Sequence, residues 1–345
     1  MDSPLTSVGP AHESLAVLER RIASIFPTVR DLLARPFVAR ASSCKADRFV
    51  VTGVGGSEGP ARLLECALVR SGRRARFVPM SALVEGTFEP SSSEALCLFS
   101  QGLSPNARAA LATANRFRDA FLFTSTAPDA PMLGGFVRAG GNVVFLPPAE
   151  ESGSLLRVVG PAIAMLGAAL FSGAEPHRGL ADALEKASAD ATRIASTIPR
   201  ERLFSPLAFV TSGDNEALAR GLAIKWIEGL ARPAPPTWDA LEVAHGPFHA
   251  FYTEPLLLVA VGPPTPLFAR LEALLVPERH TLVRLETSMP FPYARLELEV
   301  AVNALFLKAF EVEPRDLFSW ASKGKDEALY GIASALSGPP STGSD

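Results

Sequence analysis

Twice along this chain a short apolar run ends in a small-residue turn and gives way at once to a helical pattern. The first instance is RFVVT (48–52), the turn GVGGSEG (53–59) and the helical stretch ARLLECALVR. The second is LAFVT (207–211), the turn SGDN (212–215) and a helical stretch over 216–229. Short apolar strands spaced by helices imply a parallel sheet, because parallel neighbours need a crossover and helices then cover both faces. The grammar continues after each instance. Strands are expected at 75–78, 95–100, 120–124 and 142–146 in the first half, with helices at 105–116 and 154–172. In the second half strands are expected at 255–261 and 281–285, with helices at 267–275 and 293–310. The expected fold class is α/β: two tandem doubly wound domains, flavodoxin-like αβα sandwiches with parallel sheets.

A leading helix carries Leu15, Leu18, Ile22 and Ile25 at helical spacing, and a polar-faced helix over 178–196 lies between the two halves. The division that follows is 1–34 (helix and start), 35–177 (first domain), 178–199 (linker helix), 200–322 (second domain) and 323–345 (tail). The Pro-, Gly- and Ser-rich ends 1–10 and 337–345 are expected to be mobile. A length of 345 residues suits two domains, at about 150 residues each. Hydrophobic residues at 48% and charged residues at 20% supply two cores and exclude a disordered chain.

Charge excludes some partners. With 33 basic and 36 acidic side chains the net charge is −3, so no basic field invites nucleic acid or an anionic membrane. The three cysteines form no C-x-x-C pair, and the histidines at 12, 177, 245, 249 and 280 are scattered. Neither a disulfide framework nor a metal site is expected, and no cofactor. The start MDSPLTSVGPAHES has no signal-peptide pattern. The most apolar helical stretch, 158–171, contains Pro161 and is shorter than the roughly 20 residues that span a bilayer. A cytoplasmic protein is expected.

In sheets of this kind ligands bind beyond the carboxyl ends of the strands. The turn GVGGSEG (53–59) can bring backbone N–H groups close to an anion, and SQGLSPN (100–106) adds Ser100, Gln101, Ser104 and Asn106 as neutral donors leading into a helix. Together they suit a phosphate or sugar phosphate. They also suit ordinary turn chemistry with a serine N-cap. A dinucleotide site fits less well, since GVGGSEG breaks the G-x-G-x-x-G spacing. Lys225 and Glu228 lie three apart and share a helix face, as surface ion pairs also do. His245 precedes Gly-Pro, where an imidazole can exchange protons near neutral pH or simply bond to backbone.

With these stretches in order, the chain resembles the sugar isomerase (SIS) superfamily in its double-domain form, over about residues 12 to 322. The isomerase half of glucosamine-6-phosphate synthase, the glucosamine-6-phosphate deaminases and the fructosamine-type deglycases share that architecture. TGVGGSEG (52–59) resembles the first sugar-binding turn, with Gly55 and Ser57, and FSQGLSPN (99–106) resembles the phosphate loop. TSGDNEALARGLAIKWIE (211–228) resembles the segment that carries the family's active-site Lys and Glu, placing Lys225 and Glu228 there. ALEVAHGP (240–247) resembles the Glu-Leu-Lys-His-Gly-Pro motif, with Glu242 and His245 in register, and VEPRDL (312–317) resembles the closing Asp-x-Pro-Arg-x-Leu.

The resemblance implies aldose–ketose chemistry on a sugar phosphate or amino-sugar derivative, in a homodimer. His245 would open the sugar ring in the neighbouring subunit's site, and Glu228 would move a proton between C1 and C2. Lys225 would orient hydroxyls or tune that carboxylate. Departures from the pattern matter too. The phosphate loop is one residue short, because Gln101 runs directly into Gly102. The synthase's C-terminal lysine aligns with Ser319 in Leu317-Phe318-Ser319, and Lys323 and Lys325 come too late to replace it. Arg157 stands where a lysine is usual after the glutamate-containing loop Glu150–Glu151, of which Glu150 is expected in the site. No glutaminase segment or N-terminal cysteine precedes these motifs, so glutamine is not expected to supply ammonia. The resemblance therefore implies an isomerase or deaminase. The alternative it leaves is a non-catalytic carbohydrate-derivative sensor or partner subunit with a degenerate phosphate loop.

Overall fold

The structure is a computed structural model and describes residues 9–325. Of the ends expected to be mobile, 1–8 and 337–345 lie outside the described residues, as does most of the tail expected at 323–345, while Pro10 opens the first helix. The first unit runs α1 (Pro10–Ala34), β1 (Arg48–Thr52), α2 (Glu58–Arg70), β2 (Arg74–Phe77), α3 (Met80–Val84) and β3 (Glu94–Phe99). It continues through α4 (Pro105–Leu111), β4 (Asp119–Thr124), α5 (Gly134–Arg138), β5 (Asn142–Phe145) and α6 (Val159–Ser172). After α7 (Leu180–Ser196) and α8 (Arg200–Leu203), the second unit has β6 (Leu207–Thr211), α9 (Glu216–Leu230), β7 (Thr237–Asp239) and α10 (Pro247–Phe251). It ends with β8 (Leu256–Gly262), α11 (Pro266–Leu274), β9 (His280–Glu286) and α12 (Tyr293–Val312).

Every strand pair is parallel. The orders are β2-β1-β3-β4-β5 and β7-β6-β8-β9, so in each sheet the strand order reverses beside the first strand. That reversal opens a crevice at the carboxyl ends, where doubly wound sheets bind ligands. The expected α/β class with two parallel sheets is what the chain forms. Two expected helices are shorter than the pattern suggested. The one expected over 154–172 starts at Val159, and the one expected over 105–116 stops at Leu111 before a separate 3₁₀ turn. The elements α3, α5, α8, α10 and β7 have three to five residues each, too few to leave a periodic signal.

Alternation along the strands fills three cores. Val50, Leu96, Leu98 and Leu122 face outward against α3, α4 and α5. Ala208, Val210, Leu258 and Ala260 face outward against Phe268 and Leu271 of α11. The opposite faces of both sheets, with Phe49, Phe99 and Phe123 on one and Phe209, Val259 and Val261 on the other, share one central core. The helices α1, α2, α6, α7, α9 and α12 fill the space between the sheets. The polar-faced helix between the halves, α7, packs along α12 and contributes Leu184, Ala191 and Ala195 to that core. No described helix is long and apolar enough to cross a membrane.

The approach of α2 to α9 ties one unit to the other. A Cβ at Gly221 would lie 3.4 Å from the Gly59 Cα, so the two helices meet backbone to backbone. Glu228 lies two turns further along α9 and is thereby carried to the first unit's crevice. Gly229 is tighter: a Cβ there would lie 2.4 Å from Phe306 Cζ and 3.2 Å from Leu156 Cδ2, and Phe306 is fully buried. Gly229→Ala is therefore expected to destabilise by about 1–3 kcal/mol through overpacking. Gly221→Ala meets only ordinary contacts and should be neutral, or stabilising by up to about 1 kcal/mol through helix propensity. Thermal or urea unfolding of the two variants checks the contrast; equal effects would contradict it.

Candidate functional site

A cleft of about 850 Å³ lies at the carboxyl ends of β1, β3, β4 and β5. The turn after β1 contributes Gly55 and Ser57, and the loop after β3 contributes Ser100, Gln101, Ser104 and Asn106. Ser125 and Thr126 follow β4, Arg157 ends the loop after β5, and Glu228 enters from α9. These loops have the shapes their sequences allow. A Cβ at Gly53 would sit 2.4 Å from the Ser57 carbonyl oxygen, so only glycine lets this turn close, and Gly55 has φ +60°. The Ser104 hydroxyl accepts from the Ala107 N–H and caps α4, while Pro105 opens that helix.

The loop one residue short of the family pattern is closed by Leu103, which adopts φ +51°. A left-handed leucine costs about 1–2 kcal/mol in backbone sterics. Its side chain is buried in the outer core of the first unit, and that burial offsets the cost. The position therefore supplies packing, with no polar group for a ligand.

Glu228 is the electrostatic centre of the cleft. Burial pushes its carboxyl up to about 7, against the pull of the Lys225 and Arg157 charges and the Arg157 backbone, while the Glu151 charge adds to the rise. A carboxyl at that value holds and releases protons near neutral pH. Arg157 lies across the cleft wall, its guanidinium donating to the Glu151 carbonyl oxygen.

Eight of the eleven residues expected from sequence line the cleft: Gly55, Ser57, Ser100, Gln101, Ser104, Asn106, Arg157 and Glu228. Lys225 does not. It is buried between α9 and α12, with Nζ donating to Glu299 Oε1 at 2.7 Å. Glu150 does not either; it is exposed, and its carbonyl accepts from Arg21 Nε of α1. Its neighbour Glu151 points inward and is fully buried, its carboxylate accepting the Val158, Val159 and Gly160 N–H groups at the start of α6. Arg21 also donates to Ser154 Oγ, so α1 holds the loop in the register that turns Glu151 inward. His245 lies outside the cleft and is exposed at the end of a 3₁₀ turn over Glu242–His245. Ser125 and Thr126 carry no sequence motif, and their only signal was position, just past an expected strand.

No family model matches the sequence, and no curated protein matches it. Solved structures do. A protein assigned as a phosphosugar isomerase from Clostridium difficile 630 superposes with a TM-score of 0.67 at 12% identity, covering 92% of this chain and 97% of that one. The C-terminal domain of glucosamine-fructose-6-phosphate aminotransferase from Francisella tularensis gives 0.64 at 11%, covering 90% and 98%. Glucosamine-6-phosphate deaminase from Thermotoga maritima gives 0.63 at 16%, covering 90% and 97%. With two parallel sheets in these orders and near-complete coverage in both directions, this chain has the tandem sugar isomerase (SIS) domain fold.

Proposed function

We propose that this protein is an isomerase or deaminase of an amino-sugar phosphate or a related sugar derivative, working through C1–C2 proton transfer. The observation that carries the reading is Glu228, a largely buried carboxyl held near 7 at the wall of a cleft built from strand-end serines and glycines. As carboxylate, Glu228 takes the proton from the carbon next to the carbonyl, leaving an enediol or enolamine. It returns that proton to the neighbouring carbon on the same face. Ser57, Ser100, Ser104 and Asn106 hold the phosphate and hydroxyls, and Arg157 adds the one positive charge among the cleft-lining residues. In this reading His245 acts in the cleft of a second copy, opening the sugar ring, and its exposure in the single chain leaves it free to do so. A cytoplasmic location fits these phosphorylated substrates.

Purified protein incubated with glucosamine 6-phosphate, fructose 6-phosphate and tagatose 6-phosphate should form the ketose or aldose isomer, or release ammonia from the amino sugar. No turnover on any of them would contradict the reading. The shared site has its own test: His245→Ala and Glu228→Gln, each inactive alone, should regain about a quarter of wild-type activity when remixed as a two-fold dimer. No recovery would remove His245 from the site.

A non-catalytic sugar-derivative binding protein is the second reading. It is favoured by the phosphate loop, one residue short and closed by the buried, apolar Leu103, and by the engagement of Lys225 with Glu299. Its signature is stabilisation without turnover. A ligand at 100 times its Kd should raise stability by about 2.7 kcal/mol.

A further inference from the structure

The amino end of α6 lies behind the cleft-lining Gln101, and its backbone donors are already in use. Glu151 Oε1 accepts the Val158 and Val159 N–H groups at 2.6 and 2.9 Å, and Oε2 accepts the Gly160 N–H at 2.9 Å. The next residue, Pro161, has no N–H. No first-turn donor is left for a ligand's phosphate, and an internal carboxylate occupies the place an anion would take.

Gln101 is held against this carboxylate. Its Nε2 lies 3.2 Å from Glu151 Oε2. Both Glu151 oxygens act as acceptors, so the amide must turn its NH₂ toward them and its carbonyl oxygen away. The side chain is also closely packed. A Cβ at Gly160 would lie 1.9 Å from Gln101 Nε2 and 2.3 Å from Oε1, so the amide lies directly on the glycine backbone. The backbone of Gln101 is pinned as well, its carbonyl accepting from Ser125 N and Thr124 Oγ1, both at 3.1 Å. Gln101 lines the cleft, and its Oε1 has no hydrogen-bond partner among the described residues.

We propose that Gln101 is a specificity residue that offers its Oε1 as an acceptor to a hydroxyl or ammonium of the substrate, with Glu151 as the positioning residue that fixes this orientation. The inference rests on the reading of the cleft as a sugar-phosphate site and deepens it. An amide backed by a carboxylate is poorly suited to a phosphate. The anion is then left to Ser57, Ser100, Ser104 and Asn106, and Gln101 selects for the sugar's own donors.

Calorimetric titration with inorganic phosphate and with glucosamine 6-phosphate tests this on wild type, Gln101→Met and Glu151→Gln. Gln101→Met should leave the phosphate Kd within about twofold and weaken glucosamine 6-phosphate about tenfold or more, as expected for loss of one hydrogen bond to a charged or strongly polar group. Glu151→Gln should lower the same preference ratio, which a merely structural loss would not move because both probes would weaken together. Equal weakening of both probes in Gln101→Met overturns the proposal. The side-chain NH₂ resonances of Gln101 in the unliganded protein give a second readout, identified by their absence in Gln101→Met. One proton protected from solvent exchange is expected; two freely exchanging protons overturn the proposal. If wild type binds neither probe, the sugar-phosphate reading fails, and the NMR measurement still decides the orientation of the amide.

Discussion

Glu228→Gln should abolish most turnover, by about 10²–10⁴-fold, while making the protein more stable above neutral pH. Both effects come from one source. Glu228 is buried enough that ionising it is costly, which is why its carboxyl sits near 7 when an ordinary glutamate sits near 4.5. A carboxyl raised in this way favours the folded state while it is protonated. Its contribution is fully present below the ordinary glutamate range, declines as pH rises and is gone above about 7. Wild-type stability should therefore fall between pH 4.5 and 7 and then level, and the neutral amide should lack this decline. At pH 8 the variant should be more stable by about 2 kcal/mol, allowing for the partial access of the group to the cleft. With Glu228 as the proposed base, activity has the opposite slope, since the carboxyl must be ionised to take a proton, so kcat/KM should rise through pH 7. Urea unfolding and rate profiles over pH 4–9 read the two slopes. A Glu228→Gln protein with wild-type turnover, or with a wild-type stability profile, would remove Glu228 from the role of base.

What the sequence made legible follows a physical division. The sheets could be read because β3, β4, β6 and β8 are buried on both faces, which forces runs such as ALCLF and LLLVAV that no amphipathic helix would use. Gly53 and Gly55 could be read because a Cβ at the first would strike the Ser57 carbonyl and the left-handed backbone of the second favours glycine. Glu228 could be read because the stretch 211–228 resembles the family's segment without a gap. The misplaced residues depend on partners distant in the chain. Whether Glu150 or Glu151 faces inward is set by Arg21, which grips the loop from α1, 129 residues away. Adjacent glutamates give no local sign of this. Lys225 and Glu228 share a helix face on spacing alone, but α9 is wedged between α2 and α12, and Glu299 on α12 draws Lys225 away from the cleft. Leu103 was illegible for another reason: its left-handed backbone is unusual for leucine, and burial in a core built from several other elements stabilises it.

Breaking the Lys225–Glu299 pair should produce a large loss of stability. The two charges lie 2.7 Å apart with side chains 3% and 2% exposed, so neither has water to fall back on. Glu299→Ala leaves a buried ammonium without its counter-ion and should cost about 3–5 kcal/mol. Replacing the pair together, Lys225→Met with Glu299→Leu, removes both desolvation penalties and should be neutral or stabilising by about 1–4 kcal/mol. The double variant also separates what Lys225 does for the fold from what it does for the site. Its positive charge favours the ionised form of Glu228 and is the largest charge effect on that carboxyl. With the pair gone, the limb where activity rises should move to higher pH although stability has recovered. A recovered fold with an unmoved limb would make Lys225 structural only. A double variant as unstable as Glu299→Ala would show that the pair is held by more than its own charges. The combination of restored stability and a displaced limb identifies a buried lysine that tunes the catalytic carboxyl without touching the substrate.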